Sequence, residues 1–155
     1  MRKRIFTLLA ALCLLLCLLP TAAFASQTGS KTDESRSYNF DLSVGGASEV
    51  RATTGETVTV TLVLKRTDAQ ESADMYGMQT EIEYDDTFLQ LVEGSALLSN
   101  GISTTDIGLR DNYREFYMNF VSLSGGETWE AKRLIGSFKL KVIATSGVSK
   151  ITNQD

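Results

Sequence analysis

The chain predicts an all-β fold, a two-sheet antiparallel β-sandwich, and three observations carry that prediction. Short runs alternate apolar and polar residues with a period of two. Clusters of Gly, Asn, Asp and Ser break those runs at close intervals. Beyond the N-terminus, no segment keeps an apolar period of 3.6 residues over a dozen positions, so no long amphipathic helix is predicted.

The first 25 residues read as an export signal. Arg2, Lys3 and Arg4 form a basic start, Ile5 to Leu19 is almost uninterrupted apolar sequence, and Ala23-Phe24-Ala25 is a small-residue cleavage site before Ser26. Cys13 and Cys17 lie inside that run, each preceded by Leu where a lipidated Cys would follow a small residue, so plain cleavage is expected. Residues 26–37, SQTGSKTDESRS, carry no aliphatic side chain and read as a flexible polar leader. Residues 38–155 are left as one domain, long enough to close a single core.

Within that domain Phe40-Asp41-Leu42-Ser43-Val44 alternates and then meets Gly45-Gly46. Thr57 to Leu64 is the clearest strand, with Val58, Val60, Leu62 and Leu64 on one side. Met78, Thr80, Ile82 and Tyr84 share a face opposite Gln79, Glu81, Glu83 and Asp85. A short run, Phe88 to Val92, follows and ends at Gly94. After a polar stretch, Phe116, Met118 and Phe120 alternate with Glu115, Tyr117 and Asn119. Last, Leu134, Gly136, Phe138, Leu140 and Val142 are predicted to oppose Ile135, Ser137, Lys139, Lys141 and Ile143.

Composition narrows the chemistry. Cleavage removes both cysteines and the single proline, and the chain has no histidine. The processed chain therefore offers no Ser–His–Asp triad, no Cys nucleophile and no His- or thiolate-bound zinc. It keeps 12 basic and 19 acidic residues, a net charge of −7 that disfavours nucleic acid. No second apolar stretch is long enough to span a bilayer, so a secreted protein without a membrane contact is expected.

Candidate sites are few. Glu81, Glu83, Asp85 and Asp86 form the densest acid cluster, but their flanks show neither an aromatic sugar platform nor an apolar pocket to raise a carboxyl pKa. A solvated sheet face, not a catalytic pair, is the favoured reading. The spacing of a calcium-binding EF-hand loop is absent, so no metal and no cofactor are assigned, and Asp85-Asp86 reads as turn chemistry. Trp129, in a Gly-rich segment, either stacks on a sugar with Tyr113 and Tyr117 as companions or covers one end of the sandwich.

The order of these segments resembles the cohesin domain, the receptor module of cellulosome scaffoldins. Thr54-Gly55-Glu56-Thr57-Val58-Thr59-Val60, Tyr76-Gly77-Met78-Gln79 running on to Tyr84-Asp85 and Val92, the aromatic strand Tyr113 to Phe120, and Leu134 to Val142 carry the resemblance. Asp86 stands where the family has a proline. The resemblance implies a jelly-roll sandwich. It also implies that the chain stops before the family's last strand, so it is either a fragment of a longer secreted protein, the favoured reading, or leaves its first strand as an open edge. It implies a non-catalytic receptor for dockerins, the modules borne by polysaccharide-degrading enzymes. The docking face would comprise Gln79, Glu81 and Glu83, with Tyr117, Asn119, Lys139 and Lys141 on neighbouring strands. A carbohydrate-binding module of the same shape, with Trp129 and Tyr113 as stacking residues, and a structural or adhesive surface domain are the alternatives.

Overall fold

The computed structural model describes residues 23–27, 38–68, 70–110 and 113–154. The apolar signal run and most of the polar leader lie outside them. Thirteen strands follow in order: β1 (Ala23–Gln27), β2 (Tyr38–Val44), β3 (Glu49–Ala52), β4 (Thr57–Arg66), β5 (Ser72–Met75), β6 (Gly77–Asp85), β7 (Leu89–Leu91), β8 (Leu97–Leu98), β9 (Ser103–Arg110), β10 (Tyr113–Val121), β11 (Glu127–Glu130), β12 (Lys132–Val142) and β13 (Gly147–Gln154). One sheet runs β3-β1-β13-β6-β10-β9 and the other β2-β4-β12-β7, with β8 also on β12. β11 and β5 form a separate ribbon. Every pairing is antiparallel except β1 with β13. β1 takes in both sides of the Ala25–Ser26 junction.

The period-two pattern becomes the core. Val58, Val60, Leu62 and Leu64 of β4 are buried, as are Ile82 and Tyr84 of β6, Phe116, Met118 and Phe120 of β10, and Phe138, Leu140 and Val142 of β12. Removing each such side chain from water contributes about 1.5–3 kcal/mol. Phe116 and Phe138 link the sheets edge to face, with ring centroids 4.9 Å apart. β13 turns Ser149, Ile151 and Asn153 inward, and the Asn153 amide meets no hydrogen-bonding partner there.

β12 departs from simple alternation. Its register with β4 shifts between Leu134 and Gly136. This bulge reverses parity, so Ile135 is fully buried while Leu134 is 51% exposed, the opposite of what alternation alone predicts. Gly136 is needed where β8 crosses, because a Cβ there would lie 3.1 Å from the Leu97 carbonyl oxygen.

β9 and β11 carry no apolar alternation to announce them, and β3 and β5 alternate over only four residues each. β9 borders the first sheet and its sequence, STTDIGLR, is mostly polar. β2, the predicted first strand, pairs with β4 alone and forms an edge of the second sheet.

Candidate functional site: the outer face of β13, β6, β10 and β9

Alternation fixes which side chains of the first sheet point away from the core. On β6 these are Gln79, Glu81, Glu83 and Asp85, and on β10 Tyr113, Glu115, Tyr117, Asn119 and Val121. Register then arranges them in rows. Asn119 pairs with Gln79 and with Ser103 of β9. Tyr117 pairs with Glu81 and with Thr105, and Gln154 of β13 completes that row beside Glu81. Glu115 pairs with Glu83, which has Thr152 on its other side. Rows lie about 7 Å apart and strands about 4.8 Å apart, so the result is a flat grid of polar tips.

The grid is electrically one-sided. Glu81, Glu83 and Glu115 crowd its centre. Glu81, by its charge and by a hydrogen bond, holds the Tyr117 phenol above the usual tyrosine pKa, with a smaller push from Glu115. The Gln154 amide donates to Glu83 at 3.4 Å, a weak contact. The Asp85 carboxylate accepts from the Thr87 amide at 2.9 Å and the Thr87 hydroxyl at 2.6 Å, the ordinary use of an acid in a turn. Lys150 is the only outward cation with a described side chain on β6, β10 and β13. Glu81, Glu83 and Glu115 lie half-buried on this face.

Five of the seven docking residues named from sequence, Gln79, Glu81, Glu83, Tyr117 and Asn119, share this surface. Lys139 and Lys141 do not. β12 pairs with β4, β7 and β8, and with neither β6 nor β10, so both lysines project from the outer face of the opposite sheet. Period-two alternation tells which side chains point outward, but not which sheet a strand joins. The surface also contains residues that sequence reasoning did not place in it: Glu115, and Ser103 and Thr105 on the unpredicted β9. Glu115 was visible in the alternation of β10.

Trp129 is not a sugar platform. It is fully buried on β11, its ring 4.6 Å from Phe120 and 4.2 Å beneath the Arg133 guanidinium. Arg133 is held by Glu127 at 3.1 Å and by the Asn100 carbonyl at 3.1 Å. The ribbon thus covers one end of the sandwich. Tyr113 is exposed, but it sits two rows from Tyr117, about 13 Å along the same strand.

A cleft of about 290 Å³ opens elsewhere, between the sheets, lined by Tyr84, Asp86, Leu91, Glu93 and Arg114 among others. Arg114 is committed to Asp106, whose carboxylate it holds below the usual range. Burial raises the Tyr84 phenol.

No curated protein matches the chain in sequence. Among solved structures, the complex of CaCohA2 with a CaDoc0917 variant superposes with a TM-score of 0.51 at 13% identity, covering 86% of this chain and 82% of that one. The sixth cohesin of scaffoldin B from Acetivibrio cellulolyticus, in complex with a Cel5 dockerin, gives 0.49 at 9% identity over 87% and 81%. A type II cohesin domain from the cellulosome of the same organism gives 0.47 at 18% identity over 88% and 76%. The family model described as the cohesin domain matches residues 40–155, the whole sandwich from β2 onward, and the chain belongs to the cohesin family.

Proposed function

We propose that this chain is an exported, non-catalytic docking module that holds a dockerin-type protein on the outer face of β13, β6, β10 and β9. Membership of the cohesin family supports the class of partner. So does the pairing of a similar fold with a dockerin in solved complexes, where the interaction belongs to those proteins. The observation that carries the reading is the grid itself: Gln79, Glu81, Glu83, Tyr117 and Asn119 form one flat polar surface. A flat polar surface of that kind suits a protein partner, whereas a glycan would need an aromatic platform. The basic and apolar N-terminus supports export and cleavage after Ala25.

Binding to a panel of dockerins encoded in the same genome tests this. Capture by the wild-type chain, weakened about tenfold or more by Glu83→Lys or Tyr117→Ala with the fold intact, is the expected result. A panel in which no dockerin binds at micromolar concentration overturns it. Hydrolysis of a glycan by the purified protein, abolished by Glu81→Gln or Glu83→Gln, would overturn the non-catalytic part.

A further inference from the structure

The second sheet carries the opposite charge on its outer face. Lys65 of β4 stands directly across from Lys132 of β12, and Lys139 and Lys141 stand across from Thr59 and Thr57. Asp41 of β2, paired with Lys65, is the one acid among the outward residues of β2, β4 and β12. Lys65 and Lys132 are like charges directly opposed, and Asp41 offsets only Lys65, so a further acidic neighbour would relieve the remaining cost. Two exposed leucines, Leu134 at 51% and Leu97 at 72%, lie among the lysines. An apolar centre with a charged rim is the anatomy of a protein contact, and no aromatic side chain is present on that face to hold a sugar.

We propose that the two outer faces of this molecule are complementary to each other, so that copies stack head to tail, the lysine face of one on the glutamate face of the next. Both faces have the same pitch. Glu81 and Glu83 lie two residues apart on one strand, as Lys139 and Lys141 do on another, so each pair is spaced by about 7 Å and one can sit over the other. The glutamate face also ends in exposed apolar residues, Val121 at 67% and Leu123 at 96%. The net negative charge of the chain opposes association at long range, but at contact the local signs decide, since charges further than about 10 Å apart are screened in ordinary buffer. The contact joins two different surfaces, so it does not close on itself and the assembly grows with concentration. The inference uses the face proposed for docking but needs no dockerin, and a docked partner would compete with stacking.

Sedimentation of the processed protein at rising concentration tests it. At about 0.1 M salt, where the net charge is screened, the mass should grow beyond a dimer, and at about 1 M salt, where contact pairs are screened too, it should return to the monomer. Lys139→Gln with Lys141→Gln, and Glu81→Gln with Glu83→Gln, make two variants that should each stay monomeric with unchanged melting curves. Mixed, they should form a pair that grows no further, because the intact glutamate face of the first meets the intact lysine face of the second and no other charged match is left. A wild-type chain that stays monomeric at about 0.1 M salt, a variant that associates like wild type, or a mixture that does not pair overturns the proposal. Retardation by polygalacturonate without self-association would assign the lysine face to an acidic polymer and overturn it too.

Discussion

Tyr117 and Glu81 face each other across the β6–β10 ladder, and the carboxylate, through its charge and a hydrogen bond, makes the phenol harder to ionise. The pair sits in the middle of the polar grid, so its electrostatics report the state of the whole surface. Titration followed by phenolate absorbance should show two tyrosines ionising above the usual value of about 10, Tyr84 through burial and Tyr117 through Glu81. Glu81→Gln should bring Tyr117 down, and Glu115→Gln should do so less. A variant that leaves the titration unchanged would mean that the charge of Glu81 is not what holds the proton.

Trp129→Ala should destabilise the fold by about 3–5 kcal/mol, the cost of emptying a large buried aromatic site. Trp129→Phe should cost clearly less, because the indole Nε1 is buried without an acceptor and loses no hydrogen bond. Urea unfolding of the two variants against the parent checks the order. Equal losses would show that the indole edge contributes more than its geometry indicates.

Asn153→Val should leave stability unchanged or raise it by about 1 kcal/mol. Both polar atoms of the Asn153 side chain are buried and unpartnered, so the native residue bears a desolvation cost that valine removes. β-branching also suits its place in β13. A fall of more than about 1 kcal/mol in thermal or urea unfolding would contradict this.

Asp106 stabilises the fold at neutral pH and loses that contribution in acid. Arg114 first, and then the Gly108 amide, hold its carboxylate below the ordinary range. A carboxyl whose folded pKa is depressed adds stability above its unfolded pKa of about 4 and loses it as pH falls through the lower folded value. Because both partners are substantially exposed, the contribution is at most about 1 kcal/mol. Asp106→Asn should therefore lower stability slightly at neutral pH and converge with the parent as pH falls through the lowered folded value. Parallel curves through the acid limb would sink the assignment.

The legible part of the fold was the part with a core behind it. β4, β6, β10 and the second half of β12 announce themselves because every second residue must leave water. β9 does not, since a polar edge strand has little to bury, and β11 hides because one Trp in a Gly-rich stretch looks like loop. The bulge at Ile135 shows the limit from another side: one extra residue reverses the faces, and no alternation forecasts it. For the same reason Lys139 and Lys141 were placed outward correctly but on the wrong side of the molecule. The glutamates and Tyr117 came together because β6 and β10 happen to be ladder neighbours, a fact of register that spacing along the chain cannot supply.

The chain has a single tryptophan, and its burial under Arg133 makes the molecule its own optical probe. Its emission should be blue in the native state and shift red only when the β11 ribbon lifts, giving a one-site readout of that end of the sandwich. Association on either broad flank should leave this signal still, so unfolding and binding can be followed in one sample without an added dye.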